Sequence, residues 1–182
     1  DPTCLQCFFS RFGWSLSTRQ CAAGKSIYGR DIEPEKIMAA ALYHDASEVL
    51  TGDLPSPIKY HNRKIRDAYK EVEYAAEQEM LSTLPEALQP IYREFLLHDQ
   101  QSESTAALIK AADLIASLIK CKAEINAGNR EFAKAVSDVE QRLDTMNLKE
   151  VVYFREHFLK SFDLTLDELI THSEKLFPDA GK

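Results

Sequence analysis

Ala41-Leu42-Tyr43-His44-Asp45-Ala46-Ser47-Glu48-Val49-Leu50-Thr51-Gly52-Asp53 is the stretch on which the reading of this chain turns. Ile37, Met38, Ala41, Leu42, Ala46, Val49 and Leu50 recur at helical spacing through it. Pro34 suits a first helical position, Glu35 favours the positive end of a helix, and Gly52 is a good stop. The spacing therefore predicts one helix running to Leu50. On it His44 and Glu48, four apart, stack on one face, with Asp45 on the adjoining edge and Asp53 just past the stop. An imidazole beside a carboxylate can hold a divalent ion, and a second carboxylate one turn on can work on water bound to it. The alternative is a solvated face with ordinary charges, against which the apolar neighbours argue.

The pattern stays helical outward from this block. Asp53-Leu54-Pro55-Ser56-Pro57 cannot be helix interior and reads as a rigid loop against the His44–Glu48 face. A helix over about 63–81 carries Ile65, Tyr69, Val72, Ala76 and Met80 as its apolar stripe. The next starts near Pro85 and carries Leu88, Ile91, Phe95 and Leu96, and the most apolar runs from Thr105 to Asn126, ended by Gly128. Further helices are expected at about 130–145, 149–159 and 165–176, the last opened by a Thr165/Glu168 capping box. No strand-like alternation is convincing. The fold class read here is all-α, one domain of about six or seven helices, with residues 1–30 the least regular part.

Composition sets the outer limits. At 182 residues, 45% hydrophobic and 28% charged, the chain can bury a substantial core. A net charge of −7 argues against a nucleic-acid polymer as partner, although a nucleotide-sized anion remains compatible where a metal ion dominates the local field. No apolar run reaches membrane-spanning length and no signal peptide opens the sequence. Cys4, Cys7, Cys21 and Cys121 are too few and too scattered for a disulfide scaffold, so a cytoplasmic protein without membrane attachment is expected.

Asp113 interrupts the apolar centre of its helix. A carboxylate buried there has to be neutralised, salt-bridged or metal-bound. With His44 and Asp45 it would give one nitrogen and two oxygen donors from two helices, a set suited to several transition metals. The pair His98-Asp99 lacks a carboxylate one turn later and an apolar surround, so it is expected on the solvated surface. His157 and His172 are isolated and read as packing or surface residues; His61, just past the Pro loop, is within reach of a substrate there, but the reading is against that contact. Cys4-Leu5-Gln6-Cys7 has the spacing of half a zinc knuckle without its second half. No phosphate-binding glycine loop, nucleophile elbow or zinc-peptidase signature is present.

These residues resemble the HD-domain metal-dependent phosphohydrolases, in which a His, a later His-Asp pair and a still later Asp lie on helices of an all-α fold. The block from Tyr43 to Tyr60 is similar to bacterial 5'-deoxynucleotidases of the YfbR type, and Lys110-Ala111-Ala112-Asp113, Lys120–Glu124 and Ala127–Glu131 extend the likeness over roughly residues 32–170. The resemblance implies an HD-type domain over 31–182 behind an atypical segment 1–30. It also implies hydrolysis of deoxyribonucleoside 5'-monophosphates to nucleoside and phosphate. His44, Asp45 and Asp113 would be metal ligands and Glu48 the catalytic acid/base. Asp45, Asp53, Leu54, Pro55, Ser56 and Asp113 would contact substrate, Asp53 at the sugar. Cobalt or manganese and a homodimer come with the family.

One departure bears on all of this. The family's first His has no counterpart, because residues 1–43 contain none, and Gly13-Trp14 stands where an Arg-Trp pair is expected. The N-terminal stretch reads as shortened or replaced, with Cys7 and Cys21 as possible substitute ligands. Two alternatives follow: a catalytically impaired HD protein that keeps nucleotide or metal binding, and another HD-type nucleotide phosphohydrolase.

Overall fold

A computed structural model describes residue 20 and residues 22–59, 61–164 and 167–168, and no strand occurs among them. Residues 22–26 are helical. The α-helices that follow are α1 (Pro34–Tyr43), α2 (Glu48–Thr51), α3 (Ser56–Lys59), α4 (Arg63–Ser82), α5 (Gln89–Leu96), α6 (Glu103–Asn126), α7 (Ala133–Met146) and α8 (Lys149–His157). Short 3₁₀ turns cover His98–Gln100, Arg130–Phe132 and Leu159–Asp163. The all-α expectation holds. The chain forms two compact units, residues 1–113 and 114–182.

In the first unit the expected helix to Leu50 breaks after Tyr43. Across 44–50 the backbone makes i→i+3 bonds, with the amides of Ala46, Glu48 and Val49 reaching the carbonyls of Tyr43, Asp45 and Ala46 at 2.9, 3.1 and 3.2 Å. Side-chain competition explains the tightening. His44 Nδ1 bonds the Ala41 carbonyl at 2.8 Å, and Asp45 and Ser47 favour turns over helix interior. Gly52 then closes α2, its N–H donating to the Glu48 carbonyl at 2.8 Å with φ +74°, a conformation that needs glycine. Only Ile37, Ala40 and Ala41 of α1 are buried, while Leu42, Val49 and Leu50, expected to shelter the motif, are exposed.

The loop after Gly52 is shorter than expected, because Ser56-Pro57 starts α3, Pro57 being compatible with a first helical turn. α4 ties this segment down. The Tyr69 hydroxyl donates to the Gly52 carbonyl at 3.1 Å, and Lys59 lies 4.7 Å from the Tyr69 ring centroid while pairing with Glu73. Asn62 caps α4 by accepting the Ile65 amide at 3.0 Å. The anticipated stripe on α4 fails over its first half: Ile65 and Val72 are exposed, and the buried residues are Ala76, Glu77 and Leu81. α5 starts at Gln89, later than Pro85, with Pro90 in its first turn. Leu81, Leu96 and Leu97 form a core against which Tyr43, Ala46, Leu84 and Tyr92 pack, the Tyr43 and Tyr92 rings meeting edge-on at 5.7 Å.

In the second unit α7 buries Val139 and Leu143, and Asn147 ends it in a left-handed conformation. α8 follows with Val151 and Phe154 buried, and the Phe154 ring lies 5.3 Å from Phe158 and 6.4 Å from Phe162. Arg155 pairs with Asp144, and Lys122 with Asp163 at 3.8 Å. The expected capping box and terminal helix at 165–176 lie outside the described residues, apart from 167 and 168, which are helical.

Candidate active site

The 44–48 turn changes which side chains coincide. At three residues per turn, positions i and i+3 eclipse, so Asp45, rather than His44, shares its face with Glu48. Glu48 registers this. Burial raises its carboxyl, the charges of Asp45 and then Asp53 raise it further against Lys59 and His44, and the group reaches about 7. Such a carboxyl is poised to exchange a proton near neutrality, as general acid–base chemistry requires.

His44 and Asp45 form the tightest part of the site. Nδ1 of His44 is spent on the Ala41 carbonyl, so it carries a proton, and Nε2 lies 2.9 Å from Asp45 Oδ2. Burial pulls the imidazole down, but the hydrogen bond to Asp45 and its charge outweigh that and leave it raised. Partial burial pushes Asp45 up, and the His44 bond and charge bring it below the ordinary carboxylate value.

A cavity of about 550 Å³ opens on these groups. The turn contributes His44, Asp45, Ser47 and Glu48. One face of α4 contributes Arg66, Lys70, Glu73, Tyr74 and Glu77, and α6 contributes Ala106, Ile109, Lys110 and Asp113. Thus three of the expected ligands and the expected acid/base line one space. Asp113 is not buried as the apolar helix suggested; its side chain is 44% exposed and its Oδ2 is 2.8 Å from Lys110 Nζ. Asp53, Leu54 and Pro55 are not among the lining residues. Asp53 acts on the site through its charge at Glu48, and Ser56 opens α3.

His98 and Asp99 are exposed, as expected of a solvated pair, and they also line this cavity, which sequence reasoning missed. Glu77, buried to 5% exposure, holds His98 from two sides: Oε2 accepts the His98 amide at 3.2 Å and Oε1 accepts from ring Nδ1. That hydrogen bond, with the Glu77 charge, raises the imidazole above its ordinary value against burial. The sequence carried little signal for this, since Glu77 adjoins Ala76 but lies outside the expected stripe of α4. His61 and His157 are exposed as expected, the latter stacked on Tyr153, and Cys121 is free and buried. His172, Cys4, Cys7 and Cys21 lie outside the described residues.

The donor chemistry fits a divalent cation at His44 and Asp45. With Nδ1 as donor, a neutral His44 turns its Nε2 lone pair to a carboxylate, and two acceptors so close need a cation between them, a proton or a metal ion. Asp113 would be the third donor on release from Lys110. Among the described residues no three His, Cys, Asp or Glu side chains already converge as a metal-holding group.

Residues 15–162 match the family described as 5'-deoxynucleotidase YfbR-like. The 5'-deoxynucleotidase of Vibrio vulnificus is 46% identical over 142 residues, covering 78% of this chain and 73% of that protein. The Vibrio cholerae 5'-deoxynucleotidase is 44% identical over the same shares. A crystal structure of an HD-domain phosphohydrolase from Listeria innocua superposes with a TM-score of 0.71 at 25% identity, covering 90% of this chain and 82% of that one. With the fold, the His44-Asp45 turn and the cavity in place, this chain belongs to the YfbR-like 5'-deoxynucleotidases, metal-dependent phosphohydrolases of the HD-domain type.

Proposed function

We propose that this protein hydrolyses deoxyribonucleoside 5'-monophosphates to nucleoside and phosphate. The observation that carries the reading is the convergence of His44, Asp45, Glu48 and Asp113 on one cavity in a chain of this family. His44, Asp45 and Asp113 would hold a divalent transition metal, cobalt or manganese. When bound, the ion would supply Lewis-acid polarisation of a phosphate oxygen and a more acidic attacking water. Glu48, titrating near neutrality, moves the proton between water and the leaving 5'-oxygen. Lys59 holds Glu73 and Tyr69 holds Gly52, which steadies the Asp53-Leu54-Pro55-Ser56 segment as the nucleoside contact, with Asp53 at the sugar.

We also infer a phosphohydrolase domain over 31–182, a homodimer, and work in the cytoplasm, where nucleotides are made; no described helix is long and apolar enough to cross a membrane. Exposed Leu42, Val49 and Leu50 support a subunit contact.

A second reading, a catalytically impaired HD protein that keeps nucleotide or metal binding, is favoured by one observation: Asp113 is engaged by Lys110. Phosphate release from dAMP with added cobalt or manganese separates the two. The nucleotidase reading expects turnover in wild type and its loss in Glu48→Ala, and fails if the two release phosphate equally slowly.

A further inference from the structure

The His98–Glu77 pair is built more firmly than a surface histidine requires. Glu77 is a nearly fully buried carboxylate, which must be compensated, and it spends both oxygens on one residue, the ring and the backbone amide of His98. The 3₁₀ turn His98–Gln100 is thereby pinned to α4, and the ring cannot rotate without stranding a buried charge. Because a carboxylate only accepts, Nδ1 is the donor to Glu77, and Nε2 is the nitrogen left for the cavity. Lys70, seven residues before Glu77 and likewise lining the cavity, has no ion-pair partner among the described residues.

From this geometry we propose that His98 is a further substrate-binding residue, its Nε2–H donating to a phosphoryl oxygen of the nucleotide monoester held in the cavity. The proposal rests on the phosphomonoesterase reading above for the identity of the ligand. Of the charged groups around His98, Glu77 and Glu73 raise it and His44 lowers it; the cavity lining also includes Lys70 of α4, Asp45 of the 44–48 turn, Lys110 and Asp113 of α6, and Asp99. The buried negative charge of Glu77 and the arriving phosphate both favour the doubly protonated ring, which is the form that donates from Nε2.

The two ring nitrogens can be tested separately. An Asn amide at this position reaches about as far as Nδ1 and a Gln amide about as far as Nε2, so His98→Asn keeps a partner for Glu77 and His98→Gln keeps the donor in the cavity. Calorimetric titration of inorganic phosphate into the cobalt-loaded protein reads binding without turnover. Expected is a Kd for phosphate raised about tenfold in His98→Asn and within about threefold of wild type in His98→Gln, the loss corresponding to one charge-assisted hydrogen bond. Phosphate binding by His98→Asn equal to wild type, equal weakening in both variants, or no phosphate binding by wild type would each overturn the proposal. Hydrolysis of dAMP in the same samples reports on the function separately. Absent turnover with the expected Kd pattern sinks the nucleotidase reading and leaves His98 in place.

Discussion

Nε2 of His44 lies 2.9 Å from Oδ2 of its neighbour Asp45, while Nδ1 of the same ring is committed to the Ala41 carbonyl. Adjacent side chains on a regular α-helix point about 100° apart and do not meet in this way. They meet here where the backbone leaves α1 after Tyr43, and the fixed tautomer leaves one nitrogen and one oxygen that would suit a shared cation.

Replacing His44 by Gln should abolish tight cobalt binding and dAMP hydrolysis together, with the fold retained. Metal content after equilibration with cobalt, measured by atomic emission, checks this. Stoichiometric metal in the variant would remove His44 from the ligand set.

Asp113 and Lys110 are both about half exposed, so their pair contributes little to stability. Lys110→Met should change the unfolding free energy by less than about 0.5 kcal/mol while freeing Asp113, and cobalt affinity should rise. Asp113→Asn should lower that affinity by at least about tenfold, one charged ligand being lost. Titration calorimetry on both variants distinguishes a ligand from a surface ion pair. Unchanged affinity in Asp113→Asn counts against ligation.

Glu48 has a folded-state value of about 7, above the ordinary carboxylate. Between the two values the folded state holds the proton more tightly, so the contribution to stability is complete at low pH and is lost as pH rises through about 7. Metal-free Glu48→Gln should therefore gain on wild type from pH 5 to pH 8, by about 1 kcal/mol once solvent screening is allowed for. Denaturant unfolding at the two pH values measures it; a pH-independent difference contradicts the shift. With metal, the same variant should lose roughly 10²–10⁴ in turnover, the usual range for a removed acid–base group.

Glu77→Leu strands the His98 amide and ring and should cost roughly 1–3 kcal/mol. Glu77→Gln, which keeps one acceptor, should cost less. Urea midpoints for both variants decide it, and a neutral Glu77→Leu would show that the buried pair holds nothing in place.

The sequence by itself determined the helical class, the bounds of the long helices α4 and α6, and the chemical identity of His44, Asp45, Glu48 and Asp113, because periodicity and residue type are local properties written along the chain. Three things were decided only by the tertiary structure. The break after Tyr43 depends on which carbonyls the side chains of the turn capture, and apolar spacing carries no record of that. The exposure of Leu42, Val49 and Leu50 follows from what packs against them. Most of all, the place of His98 in the site depends on Glu77, twenty-one residues earlier on another helix. A buried carboxylate selects its partner through space, and no spacing rule along the chain contains that choice.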